Sequence, residues 1–174
     1  MSILQKLLDQ NLFKKKIVSN RYDYLSAEKE TNTNIYFIES GSVRIFIRDH
    51  DEERIVRFGY SGNIIVSLDS FLSGKPSDLY IQAIKKTSIK VASKKDLDDF
   101  IRSSDENMKL WILILEDLVL QQMEREKDLL INSPKERYER VLKRSPQLFQ
   151  EIPNKHIANY LRMSPETLSR LKKS

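Results

Sequence analysis

The residues best suited to chemistry lie in the last stretch of the chain, Pro153 to Ser174, PNKHIANYLRMSPETLSRLKKS. Glu166, Thr167, Ser169, Arg170, Lys172 and Lys173 fall on the polar side of a short helical pattern. Hydroxyls, one carboxylate and several cations on one narrow helix suit the donor and acceptor code of a DNA major groove. Such a helix must be started and backed. Ser164 supplies a capping hydroxyl, Pro165 fits the first helical position, and Glu166 lies near the positive end of the dipole. Leu168 and Leu171, three apart, give it an apolar face. Ile157, Ala158, Tyr160 and Leu161 give the preceding helix its own. Ala158 is small where two helices must cross closely, and Met163 can fill the gap beneath the turn. Arg162 stands where a turn of this kind often has Gly, and a left-handed backbone costs any other residue more. The pattern is that of a helix-turn-helix. An αα-hairpin capping a small helical core satisfies the same spacing.

The bulk of the sequence narrows the choice. A chain of 174 residues fits one large or two small domains, and 40% hydrophobic with 32% charged residues describes a soluble globular protein. With no Cys, disulfides, thiolate metal sites and cysteine nucleophiles are excluded. The N-terminal residues lack the order of a signal peptide, and no apolar run approaches the roughly 18 residues that span a bilayer. A cytoplasmic protein without membrane partners is expected. The net charge of +5 is unevenly placed. Residues 132–174 hold ten Lys or Arg against four Asp or Glu, whereas the first 131 hold 20 against 21. A near-neutral body with a basic C-terminal unit fits a phosphate-contacting module joined to a non-contacting one.

Taken in order, residues 3–13 have the spacing of a short amphipathic helix, with Lys14 to Lys16 as its solvated end. From about 34 to 93 the period changes to two. Ile35–Ile38, Val43–Arg48, Arg54–Phe58, Ile64–Val66, Leu79–Ile84 and Ser88–Ala92 read as short strands. Turns fall at 39–42 and 49–53, and Gly41, Gly59 and Gly62 at chain breaks. Short strands at even spacing predict a compact antiparallel sandwich or barrel. Between them lies SLDSFLSGKPSD (67–78). Ser67, Asp69, Phe71, Lys75, Ser77 and Asp78 there form the candidate small-molecule pocket; an ordinary connecting loop is the plainer reading.

A helix opens near Asp96, and Asp105 to Ile131 reads as the longest. Its first half, MKLWILILEDLVL, is apolar nearly all round and must be covered on more than one side. Trp111 and Ile114 can face the β-domain. Met108, Leu115, Leu118 and Val119 are then left at near coiled-coil spacing, which predicts a two-fold interface with a second copy of the chain. The charged second half, Gln121 to Asp128, is expected to protrude. Ser133-Pro134-Lys135-Glu136 is a capping box that starts a further helix, making 131–133 a hinge. Ser145-Pro146 begins one more turn.

This order of parts resembles the Crp–Fnr superfamily of bacterial transcription regulators, most nearly its short Bacteroidetes-type members. SLDSFLSGKPS (67–77), SPKERYERVL (133–142) and IPNKHIANYLRMSPETLSRLKK (152–173) carry the resemblance, which covers nearly the whole chain. It implies an α+β chain in three parts. These are a double-stranded β-helix (jelly-roll) domain of the cyclic-nucleotide-binding type over 1–104, a dimerisation helix over 105–132 and a helix-turn-helix domain over 133–174. It further implies that Glu166 and Arg170 read bases, the carboxylate accepting from a cytosine amine and the guanidinium forking onto a guanine. Ser164, Thr167 and Ser169 would reach bases or phosphates, and Lys155, Lys172 and Lys173 phosphates alone. The implied partners are double-stranded DNA, a second copy of the chain, a small-molecule effector and, for an activator, RNA polymerase. Pro165 stands where better-known members have a base-reading Arg, and this sequence ends after the recognition helix, without the family's β-wing.

The sensor half departs from the family pattern. Cyclic-AMP-binding members carry a Gly-Glu-Leu run and an Arg-Ser pair where this chain has Val66-Ser67-Leu68 and Ser77-Asp78. The ribose carboxylate and the phosphate guanidinium are both replaced, so cyclic AMP is not expected as ligand. The two histidines, His50 and His156, fall in a turn and in the C-terminal unit, and no cofactor is expected. A sensor module acting through protein partners, with a weakened DNA-binding end, is the alternative. An enzyme finds no metal-ligand spacing or nucleophile motif in its favour.

Overall fold

The structure, a computed structural model, describes residues 12–173. Eight strands alternate with short turns as far as residue 92: β1 Lys15–Ser19, β2 Tyr24–Ser26, β3 Ile35–Ser40, β4 Ser42–Asp49, β5 Glu52–Tyr60, β6 Ile64–Ile65, β7 Tyr80–Ala83 and β8 Thr87–Ala92. They form two four-stranded sheets, ordered β1-β8-β3-β6 and β2-β7-β4-β5, and every pairing is antiparallel. Alternation builds the layer between the sheets: Ile38, Val43, Ile45, Ile81 and Ile89 share one core. Gly41 turns β3 into β4 at φ +94°, and any Cβ there would lie 2.5–2.6 Å from Thr87 and Lys86. Gly59 lies within β5 rather than at a break, and a Cβ at this position would meet Ile65 at 2.5 Å.

Seven helices follow or interrupt the sheets: α1 Leu68–Ser73, α2 Lys94–Arg102, α3 Asp105–Leu130, α4 Pro134–Arg144, α5 Leu148–Glu151, α6 Asn154–Tyr160 and α7 Pro165–Leu171. The six strands read from the sequence are present with somewhat different ends. Two more were missed. Lys15 and Lys16 belong to edge strand β1, paired with β8, and are not the end of a helix. The helix expected over 3–13 lies almost wholly outside the described residues; Leu12 is buried against Ile35, Phe71 and Leu97.

The second sheet is apolar on both faces. Phe46, Ile55, Phe58, Tyr80 and Ile84 point away from the layer between the sheets and join Val141, Leu148, Ile157, Ala158, Tyr160, Leu161 and Leu168 in one continuous core. A C-terminal unit of about 40 residues is marginal alone. Here it completes its core on the sheet.

The charged half of α3 does not protrude as the composition suggested. Arg125 is 9% exposed and Asp128 0%. Asp128 accepts from Arg140 Nε at 3.2 Å and from both terminal nitrogens of Arg144, while Glu124 accepts from Arg140 Nη2 at 3.0 Å. Helix α4 supplies these cations, so charge pairs hold α3 and α4 together where apolar residues are lacking.

Candidate nucleic-acid interface

Helix α7 begins as its sequence predicts. Ser164 is extended (φ −73°, ψ 155°), its hydroxyl accepts from the Thr167 N–H at 3.1 Å, and Pro165 is first in the helix. Leu168 is fully buried beneath it and Leu171 half-buried. A constrained turn precedes it. The Arg162 backbone is left-handed at φ +56°, the Met163 N–H reaches the Ala158 carbonyl at 3.0 Å, and Met163 packs on the core. The chain therefore accepts the cost of a non-glycine turn residue, which the surrounding bonds over-determine.

Arg137 holds this turn. Its Nε donates to the Leu161 carbonyl at 2.9 Å and its Nη2 to that of Arg162 at 3.1 Å. Its Nη1 donates to the carbonyls of Ile131 and Asn132. One buried guanidinium thus ties the 131–133 connection to the α6–α7 turn. Arg125 acts alongside, donating to the Tyr160 carbonyl at 2.6 Å with its guanidinium 3.6 Å from the Tyr160 ring centroid. Burial pushes the Arg125 pKa down from its usual value.

With its base held, the far side of α7 stays open. Pro165, Glu166, Ser169, Arg170 and Lys173 line one shallow open concavity. All five are exposed, as are Ser164, Lys155 and Lys172, whereas Thr167 is half-buried. Glu166 is held below the usual carboxylate range by its own backbone N–H and by the Ser164 hydroxyl, so it presents a charged acceptor. Lys172 Nζ donates to Asn154 Oδ1 at 2.7 Å, which links the end of α7 to the start of α6. Lys155 lies on α6, away from the α7 concavity. The structure thus brings Glu166, Ser169, Arg170 and Lys173 together and places Lys155 apart.

The six candidate pocket residues divide. Ser67, Asp69 and Ser77 meet: the Ser77 hydroxyl donates to the Asp69 carboxylate at 2.7 Å, and the Ser67 hydroxyl donates to Ser77 Oγ at 2.9 Å. Both serines are buried. Phe71 turns inward against Trp111, ring centroids 6.4 Å apart, under the Lys94 ammonium. Lys75 and Asp78 remain on the surface. The hydroxyls that a ligand would need are already committed to one another and to Asp69.

On α3, Trp111 and Ile114 pack on the cluster around Phe71, Leu97 and Ile101. Of the expected seam, Leu115 and Leu118 are half-buried, while Met108 is 42% and Val119 58% exposed. Ile112, Leu120 and Met123 extend the uncovered apolar surface. No helix among the described residues is long and apolar enough to cross a membrane. Nor does any group of three or more His, Cys, Asp or Glu among them have metal-holding geometry.

The sequence did not disclose Arg125, Asp128, Arg137 or Asn159 as organising residues. Arg125, Asp128 and Arg137 sit in stretches whose polarity reads as solvated surface, and Asn159 is a polar residue within an otherwise apolar run. Only the partners, 12 to 106 positions away for Asp128 and Asn159, mark them as internal.

Residues 19–104 match the model of the cyclic nucleotide-binding domain. No curated protein matches the sequence. Among solved structures, a CooA mutant from Carboxydothermus hydrogenoformans is similar at TM-score 0.76 and 16% identity, over 99% of this chain and 83% of that one. FixK2 from Bradyrhizobium japonicum is similar at TM-score 0.72 and 20% identity, over 91% and 82%. The catabolite activator protein of Thermus thermophilus is similar at TM-score 0.60 and 20% identity, over 99% and 85%. With a sandwich, a long helix and a terminal helical unit in the same order, the chain shares the fold of these three proteins, and residues 19–104 of that fold match the cyclic nucleotide-binding domain.

Proposed function

We propose that this chain is a homodimeric, sequence-specific DNA-binding transcription regulator and not an enzyme. Helix α7 is its recognition helix, in a helix-turn-helix formed with α6. The observation that carries the reading is the open polar face of α7, where Glu166, Ser169, Arg170 and Lys173 meet on a helix whose opposite side is locked into the core. Arg170 reads a guanine edge and Glu166 a cytosine amine, while Ser164, Thr167 and Ser169 reach bases or phosphates. Lys155, Lys172 and Lys173 contact phosphates. Two copies joined along the apolar half of α3 present two such helices to successive major grooves about 34 Å apart.

The domain at 19–104 is a sensor that does not take cyclic AMP. The Ser67–Ser77–Asp69 cluster supplies no cation for a cyclic phosphate, and both hydroxyls are spent internally. Any effector it does take is a molecule of another class.

Selection of bound fragments from random duplex DNA by the full-length chain tests the reading. The expected product is a two-fold repeat, and the affinity for it should fall steeply with salt as phosphate counterions return. Failure to enrich any sequence, with binding flat from low to high salt, would leave the alternative of a sensor acting through proteins.

A further inference from the structure

We propose that Asn159 is a specificity-determining positioning residue that fixes the allowed spacing between the two halves of the DNA site by clamping the reading unit to the free edge of strand β5. The assignment rests on the dimeric DNA-binding reading above and goes beyond it.

Strand β5 is the last in its sheet, so one side of its backbone has no neighbouring strand. Asn159, in α6, fills part of that side. Its Oδ1 accepts from the Ile55 N–H at 2.9 Å and its Nδ2 donates to the Glu53 carbonyl at 2.7 Å. A single carboxamide thus offers the acceptor and the donor that a paired strand would offer there. The same residue's backbone carbonyl accepts from the Arg162 N–H at 3.0 Å, inside the left-handed turn that leads into α7. Strand edge, turn and recognition helix are therefore joined through one side chain and its own peptide.

The apolar core beneath, Phe58 against Tyr160 among it, supplies adhesion but little direction. Hydrogen bonds are directional and fix orientation. Lys85 also reaches Glu151 across the same junction at 3.1 Å, an exposed ion pair of the kind that constrains weakly. The docked arrangement leaves Glu166, Ser169, Arg170 and Lys173 open, so the clamp does not mask the reader. It aims it. Two readers aimed by two rigid bodies suit one half-site separation, and an inserted base pair both shifts and rotates the second half-site.

The test uses the full-length chain, the two-fold DNA site selected by the wild type, and versions of that site with the centre lengthened or shortened by one base pair. Asn159→Ala removes both bonds. Asn159→Asp keeps the acceptor for Ile55 but faces an oxygen toward the Glu53 carbonyl. The wild type should lose roughly tenfold or more in affinity on the altered spacings, because simultaneous engagement is then forbidden. Both variants should discriminate against the altered spacings several-fold less than the wild type, the pairs that join α3 to α4 remaining in place, with affinity for an isolated half-site and its salt slope unchanged. Folding is checked by circular dichroism and the dimer by light scattering. Folded, dimeric variants that keep the wild-type spacing preference would overturn the assignment, as would loss of folding in both. A wild type that selects no two-fold site overturns the DNA reading itself, and the assignment with it.

Discussion

The two halves of α3 exchange the roles that their compositions suggest. In the apolar half, Val119 is 58% and Leu120 61% exposed; in the charged half, Arg125 is 9% and Asp128 0% exposed. Burial along a helix is set by what lies across from it. The charged half lies across from α4 and the α6 end, which offer cations and carbonyls, and so it is drawn in. The apolar half rests on the sandwich along one side, through Trp111 and Ile114, and its other side is uncovered within a single chain. Charge there builds an internal joint, and the exposed apolar side carries the proposed two-fold interface.

The most damaging way to break this comparison is at Asp128. Removing the carboxylate by Asp128→Ala strands Arg140 and Arg144 in a partly buried site and should destabilise the fold by roughly 3 kcal/mol. Urea denaturation at neutral pH measures it. An effect comparable to that of an ordinary surface substitution would show that the buried network is dispensable. On the other half, Val119→Asp should weaken the dimer by about 100-fold in dissociation constant, near 2.7 kcal/mol. It should change the unfolding free energy of the dissociated chain by no more than about 0.5 kcal/mol. Sedimentation equilibrium separates the two; an undiminished dimer would place the interface elsewhere.

Smaller effects sharpen the contrast between internal and surface charge. His156, on α6, is pushed down to about 4, first by burial and then by Arg44, Lys155 and Arg21, with Glu53 opposing. Its unfolded form takes up a proton near 6.5, so the unfolded state binds more protons between those values. Stability is therefore full above pH 6.5 and falls as pH drops toward 4, by about 1–2 kcal/mol once solvent screening is allowed for. His156→Gln should flatten that slope in unfolding curves taken between pH 7 and 4.5. Glu39 and Asp96, both lowered to about 2 chiefly by lysine partners, act in the opposite pH region. Their contribution is present above their unfolded values of 4.5 and 3.8 and lost as pH falls toward 2, so they overlap the His156 window only at its acid end. The smallest effect belongs to a surface cap: Ser133→Ala, which removes the acceptor for the Glu136 N–H, should cost about 1 kcal/mol, readable as a lower thermal midpoint.

Much of this arrangement was legible in residue order. Strand alternation at Val43, Ile45 and Ile47 predicts a sheet with one inner face, and Ser164-Pro165-Glu166 marks the start of α7. Such signals are local, set by period and by capping chemistry. What stayed hidden depends on distant partners. Phe46, Phe58 and Tyr80 look like an ordinary outer row until they are seen to share one core with the C-terminal helices. Arg125 and Asp128 carry no mark separating them from Glu126 and Lys127, which stay exposed one step around the same helix. In the 67–78 loop the residue types suggested a ligand, but hydroxyl and carboxylate chemistry serves equally to close a turn on itself. Only the distances among Ser67, Asp69 and Ser77 show that here they do so.

The central claim, that an exposed helix end reads base sequence, is tested most directly at Arg170. Affinities of the wild type and of Arg170→Ala are compared at one salt concentration, on the selected two-fold site and on random duplex of equal length. The substitution should cost on the order of 1–3 kcal/mol per contacted half-site on the selected DNA, and far less on random DNA. Equal losses on both would mean that Arg170 contributes charge alone, and would contradict the account.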